Sequence, residues 1–265
     1  MINFVKSFLA GIFSITPGLS GSILLIMFDL YDKCIYEISN IFKTPKKSIL
    51  FLLPIGLGIT TGIVLFSNII YYLINNYKEE TFIVFTGFIF GTIPHIINKS
   101  IKKEYKKTYL IPFFIALLLG TIMLLFKENN NTYTLNYNLF SIIKYIEIGI
   151  LLSISTIIPG ISSTILLSIF NLYNIYIISI AKLKIIVLLF ILIGFLITTF
   201  ILSKLINYLL KNYYSYTYFF ILGFTISTIP VLFSFNLELY NLLISLFLSF
   251  ISFIITYYIF KVNNE

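Results

Sequence analysis

The sequence predicts an all-α polytopic membrane protein of two inverted-topology repeats, each a re-entrant, Pro-Gly-broken helical hairpin followed by three transmembrane helices. Three observations predict it: the composition, the run of long apolar segments, and the recurrence of one broken segment. Of 265 residues, 59% are hydrophobic and 11% charged, and the mean hydropathy is +1.01. A soluble domain carries about 25% charged residues, and a chain of this size could not hide so much apolar surface from water. The formal charge of +8 comes from 18 lysines and no arginine. With so little charge elsewhere, that excess suits membrane-flanking loops rather than nucleic acid. Cys34 is the one cysteine, which excludes an intramolecular disulfide and a multi-Cys metal site. No HExxH or carboxylate cluster suggests a metal, and no cofactor is expected.

The first element is a broken segment at about 3–31, which contains SITPGLSGSILLIMFDLY, Ser14 to Tyr31. Split at Pro17-Gly18 it leaves arms of about 14 residues, roughly 20 Å of helix. Hydrocarbon about 30 Å thick needs about 20 residues, so a hairpin that dips in and returns is expected. Irregular backbone survives at that depth only inside protein or beside a water-filled cavity. Spans follow at about 48–74, 82–98 and 108–126, completing a first repeat at 1–126. The polar linker 127–138, KENNNTYTLNYN, leads to the second repeat, 139–265. That repeat has a broken segment at about 142–178 and spans at about 184–210, 218–234 and 239–260.

The duplication rests on residues that apolar helices do not share by chance. In ISTIIPGISSTILLSIFNLYNI, Ile154 to Ile175, Pro159-Gly160 falls on Pro17-Gly18 and Ser162 on Ser20. Phe170, Leu172 and Tyr173 fall on Phe28, Leu30 and Tyr31. Gly58 to Pro94 then aligns without a gap on Gly194 to Pro230, so that Asn76, Gly87 and Pro94 recur as Asn212, Gly223 and Pro230. A hairpin returns to its own side, so three true spans leave the second repeat upside down. This topology puts Lys6, Lys33, Lys43, Lys46, Lys47 and the Lys99–Lys107 group on one side, with Lys211 and Lys261. Lys78, Lys127, Lys182 and Lys184 fall on the other, with Lys144 near that boundary. The lysine-rich side is expected to be cytoplasmic, and both termini with it.

Discontinuous helices in inverted repeats form a transporter plan whose site lies at the repeat interface near the midplane. After each Pro-Gly a half-helix begins, with unpaired N–H groups and the positive end of its dipole. The candidate anion site therefore comprises Ser14, Thr16, Pro17, Gly18, Ser20, Gly21 and Ser22 from one break. Pro159, Gly160, Ser162, Ser163 and Thr164 complete it from the other. Hydroxyls add donors, and glycines permit close backbone approach. The plainer alternative is a tightly packed hairpin whose Ser and Thr bond nearby carbonyls. Charged residues inside apolar stretches are the other candidates: Asp29, Lys144, Glu147, His95 and Lys204. A buried acid or His there could relay protons, whereas residues at the interfaces would simply snorkel.

The paired motifs, Pro17-Gly18-Leu19-Ser20-Gly21-Ser22 and Pro159-Gly160-Ile161-Ser162-Ser163-Thr164, each lead through an apolar run into Leu-Tyr. In this the chain resembles the bacterial undecaprenyl-phosphate (polyprenyl-phosphate) transporter family, first catalogued as a domain of unknown function. The resemblance implies a plasma-membrane flippase that returns the lipid carrier of cell-wall glycan synthesis from the outer to the cytoplasmic leaflet. It implies a polyprenyl-phosphate partner and no catalysis. Two departures stand out: the family's first motif has an Asp where this chain has Ser14, and Ser163 replaces an expected Gly. A transporter or channel for a small anion would use the same pocket. An intramembrane serine protease is the enzyme alternative, with GxSG at 18–21 and His95 as base. Against it, the motif's second copy, Gly160-Ile161-Ser162-Ser163, has no second His.

Overall fold

A computed structural model describes residues 2–15, 20–101, 105–124, 138–181, 184–232 and 238–264. The described residues are helical throughout. Helix α1 (Ile2–Ile15) leads to the first break, and α2 (Gly21–Met27) and α3 (Tyr31–Ser39) follow it. Next come α4 (Pro45–Asn76), α5 (Lys78–Ser100) and α6 (Leu110–Leu124). The second half opens with α7 (Leu139–Ile157), α8 (Ser163–Ile169) and α9 (Tyr173–Ala181). It closes with α10 (Ile185–Asn212), α11 (Tyr214–Ser227), α12 (Ile229–Leu232) and α13 (Leu239–Asn264).

Among the described residues, six helices are long and apolar enough to cross a membrane: Pro45–Asn76, Lys78–Ser100, Lys107–Leu124, Leu139–Ile157, Ile185–Asn212 and Leu239–Ile259. Their outward faces carry large exposed hydrophobics, such as Leu53 and Val64 on α4, Leu189 and Leu196 on α10, and Phe247 on α13. In water such faces would associate. In hydrocarbon they need no cover, and the chain is a multi-pass membrane protein.

The six differ from those read in the sequence at two places. The segment expected to span at 218–234 is divided at Thr228 between α11 and the single turn α12. Pro230 lies in that turn, where it supplies no N–H to continue the helical ladder. Its counterpart Pro94 is held inside an unbroken α5. The arm before the second break, α7, has 19 residues, about 28 Å of helix, against 14 in α1. The arms after the breaks are shorter than expected. Helices α2 and α8 have seven residues each.

Both short helices end in the same turn. Asp29 (φ 57°) and Asn171 (φ 56°) adopt the left-handed conformation. Leu30 N–H bonds the Leu25 carbonyl at 2.9 Å, and Leu172 N–H bonds the Leu167 carbonyl at 2.8 Å. This is a Schellman stop, in which Asn and Asp tolerate the conformation other residues avoid and a buried apolar residue follows. Leu30 and Leu172 are those buried residues.

Helix packing occurs in matched pairs. Helix α1 lies on α4 as α7 lies on α10, and α5 lies on α13 as α11 lies on α6. The close approaches correspond residue by residue. Gly58 sits against the Phe4 carbonyl and Gly194 against the Ile146 carbonyl. Gly87 meets Ser249, and Gly223 meets Phe113. The glycines are equivalent in the alignment, and their partners fall at the same offsets: Phe4 and Ile146 at that of the two breaks, Phe113 and Ser249 at that of Gly58 and Gly194. A side chain at these glycines would strike backbone, and overpacking typically costs about 1–3 kcal/mol. Gly58→Val and Gly194→Val are each expected to lower the thermal midpoint in detergent by a similar amount. Gly56→Val, where an added Cβ meets nothing within 4 Å, is expected to leave it unchanged.

The largest core lies between the halves. Ile23, Ile26, Tyr31 and Ile35 of α2 and α3 pack against Ile206 of α10 and Tyr218, Ile221 and Leu222 of α11. Ile157, the last residue of α7, joins the same cluster. The two broken segments are thus held near one another.

Candidate functional site

The two breaks meet around a small polar cavity of about 70 Å³. From the first half it is lined by Ser14, Ser20, Gly21 and Ser22. From the second it is lined by Ser155, Thr156, Ile161 and Ser163. Ser14 sits in the last turn of α1 and Thr156 in the last turn of α7, at equivalent positions. Ser20 precedes α2 in extended backbone, φ −115° and ψ 124°, as a residue at a helix entry does.

The hydroxyls divide by the bonds they make. Ser14 Oγ donates to the Ala10 carbonyl at 2.9 Å. Ser155 Oγ and Thr156 Oγ1 both donate to the Leu152 carbonyl, at 2.9 and 2.7 Å. Their protons are turned back onto their own helices. Ser20 and Ser22 instead share one hydrogen bond, Oγ to Oγ at 2.6 Å, so between them one proton remains to give to a ligand. Ser163 is the first residue of α8. Because α2 and α8 are only two turns long, their dipoles are weaker than those of long helices. The hydroxyls carry more of the site's attraction for an anion. Among the described residues no lysine lines the cavity. Its donors are neutral, which suits reversible capture of an anion.

The second motif divides between three surroundings. Ile161 and Ser163 line the polar cavity. Gly160 and Ser162 line a crevice against α6 and α11, with Gly120, Ser227 and Thr228. Gly160 has φ 89° and lies so close to Phe224 and the Thr225 N–H that a Cβ would collide with them. Pro159, with Ile158, faces an apolar cavity. In the first motif, Thr16, Pro17 and Gly18 lie outside the described residues, as does the side chain of Thr164.

Of the charged candidates, Asp29 and His95 come together, at the far end of α2 from the polar cavity. Lys99 Nζ is 2.5 Å from Asp29 Oδ1 and donates to the Ile26 carbonyl at 3.0 Å. His95 Nε2 is 3.0 Å from that same carbonyl, and its side chain is buried. Beside them Tyr218 and Tyr214 donate to the two oxygens of Asp32, at 2.6 and 3.2 Å. Lys144 Nζ lies 4.8 Å from the Phe140 ring centroid, and Glu147 is half-buried one turn further along α7. Lys204 is exposed on α10, with Nζ 3.9 Å from the Phe200 ring centroid. The structure does not bring these three to the polar cavity.

Sequence reasoning missed Ser155 and Thr156 because the search began at the Pro-Gly dipeptides. Thr156 was within reach, since the alignment of the two breaks places it on Ser14. Lys99, Asp32, Tyr214 and Tyr218 carried no local signal. Their contacts join helices distant in the chain.

A family model described as undecaprenyl phosphate translocase-like matches residues 1–109 and 95–245. The chain belongs to this family. Among curated proteins, the translocase-like chain is 27% identical over 190 residues to a polyprenyl-phosphate transporter of Staphylococcus aureus (strain NCTC 8325 / PS 47). The match takes in 68% of this chain and 65% of that relative. No solved structure matches the translocase-like chain.

Proposed function

We propose that the chain moves a polyprenyl phosphate, undecaprenyl phosphate foremost, between the leaflets of the bacterial plasma membrane. Net movement returns the carrier to the cytoplasmic leaflet, where cell-wall glycan synthesis reloads it. The observation that carries this reading is the hydroxyl-lined cavity built by both breaks, in a chain of the translocase-like family.

The physical task is specific. The tail stays in hydrocarbon throughout, so only the phosphate needs help. Taking an unpaired charge out of water costs tens of kcal/mol in the limit of a dry interior. Hydrogen bonds to a charged group return about 1.5–3 kcal/mol each. Ser20, Ser22 and Ser163 supply such bonds first, and Ser14, Ser155 and Thr156 follow by rotating off their helix carbonyls. The two halves are inverted repeats, each contributing a re-entrant hairpin, and the corresponding contacts of Gly58 on α1 and Gly194 on α7, and of Gly87 on α13 and Gly223 on α6, support the repeat. Rocking of the halves about the cavity opens it to each side in turn. Both termini are cytoplasmic. The Asp29–Lys99–His95 cluster holds the α2–α3 corner against α5 and serves as the point where proton binding could bias that rocking. The serine-protease alternative gains no support from the geometry: Ser20 precedes α2, and His95 meets that helix at its other end.

The test is exchange in proteoliposomes. Purified protein is expected to speed leaflet exchange of a labelled polyprenyl phosphate above that in empty vesicles. Exchange at the empty-vesicle rate, with uptake of inorganic phosphate instead, would replace the lipid reading with the small-anion one.

A further inference from the structure

A second kind of cavity occurs twice. One, of about 450 Å³, lies between α10, α11 and α6. The other, of about 470 Å³, lies between α4, α5 and α13. Their walls correspond: Leu209, Tyr213, Thr217 and Phe220 in the first stand where Leu73, Tyr77, Thr81 and Val84 stand in the second. Pro112 of α6 answers to Leu248 of α13 in the same way. Each cavity is thus completed by a helix from the opposite half. Leucine, tyrosine and threonine are kept at Leu209 and Leu73, Tyr213 and Tyr77, and Thr217 and Thr81, as a binding surface used in two orientations would need.

The first cavity is adjacent to the polar one through a single turn of chain. Ser155, Thr156 and Ile161 face the polar cavity, while Ile158 and Pro159 between them face the apolar one. Tyr31 also lines the apolar cavity, and its hydroxyl ties down the intervening Ile157 carbonyl at 2.7 Å. A ligand with its charge in one space and its chain in the other must therefore pass from polar to apolar over that single turn. A single chain esterified directly to phosphate has that shape. A glycerophospholipid does not, because a glycerol stands between its phosphate and its two chains.

We infer that the paired apolar cavities hold the first isoprene units of the substrate's tail, one cavity serving each orientation of the transporter. This rests on the lipid-phosphate reading and adds a chain-binding site to it. It makes the protein selective for single-chain isoprenoid phosphates over diacyl lipids carrying the same headgroup.

Photolabelling tests the inference directly. The probe is a polyprenyl phosphate with a diazirine in the isoprene units nearest the phosphate, in vesicles of phosphatidylethanolamine and phosphatidylglycerol. Label is expected several-fold above background at Leu209 and Phe220 and at Leu73 and Val84. The reference is the outward-facing Leu118 and Leu196. Unlabelled polyprenyl phosphate is expected to compete and diacyl phosphatidic acid is not. Equal labelling of the outward faces, or equal competition by the diacyl lipid, would overturn the inference and leave the cavities to ordinary acyl chains. Exchange separates this failure from that of the transport reading. Leu209→Trp and Leu73→Trp are expected to slow polyprenyl phosphate and geranyl phosphate alike, several-fold, because both carry the isoprene units nearest the phosphate. Variants that move both lipids like the wild type would overturn the chain site alone. A wild type that moves neither would overturn the transport reading beneath it. Should the Trp variants fail to fold, labelling of the wild-type protein still decides.

Discussion

Replacing Ser20, Ser22 and Ser163 together by Ala is expected to slow leaflet exchange of polyprenyl phosphate by about a hundredfold or more. The Ser20–Ser22 pair and Ser163 are each placed to donate to a charged oxygen, and such a bond is worth about 1.5–3 kcal/mol. Since about 1.4 kcal/mol is a factor of ten, Ser20→Ala alone is expected to cost about tenfold. Part of that loss is softened because Ser22 is then freed from its 2.6 Å bond to Ser20. The triple variant has no such reserve. Its remaining hydroxyls, on Ser14, Ser155 and Thr156, start bonded to their own helices. Stability should change little, because none of the three replaced hydroxyls bonds the backbone among the contacts described. Ser179→Ala is the control. It removes a buried hydroxyl bonded to the Ile175 carbonyl, away from the cavity, and is expected to leave exchange within about twofold of wild type.

Tyr31→Phe is expected to have the largest effect of any single-atom change on stability. The Tyr31 hydroxyl is buried and donates to the Ile157 carbonyl at 2.7 Å. It links the first half's α3 to the end of α7, where the second break begins. Removing it leaves a buried carbonyl short of a donor, a loss of about 1–3 kcal/mol. Against a total stability of roughly 5–15 kcal/mol that is a large share. Thermal unfolding in detergent should show a lowered midpoint, and exchange should fall too because both cavities lean on this turn. Tyr208→Phe, on an exposed face of α10, should leave both unchanged.

The helical class and a set of about six membrane-crossing helices were legible because hydrocarbon imposes a length and an apolar composition that survive without any packing detail. The polar residues at Asp29 and Asn171 were legible as a pair but not as a turn. Their role depends on a left-handed backbone that composition does not reveal. Pro94 and Pro230 read alike in sequence, yet one is held inside a helix and the other lies at a helix break. In the candidate site, the equivalence of Ser20 and Ser162 suggested equal roles. The positive φ of Gly160 turns the second motif so that Ser163 lines the polar cavity while Ser162 faces α6 and α11. The pairing of Lys99 with Asp29 crosses from α5 to the α2–α3 corner, and no local pattern encodes it.

One polar cavity is proposed to receive the lipid phosphate from either leaflet. Cysteine accessibility tests it most directly. With the single native cysteine removed as Cys34→Ala, Ser20→Cys and Ser163→Cys are each placed in sealed vesicles and treated with a membrane-impermeant thiol reagent. Reaction is expected at both positions from both sides of the membrane, slowed by polyprenyl phosphate. Reaction from one side alone, or at a rate that the lipid leaves unchanged, would contradict it.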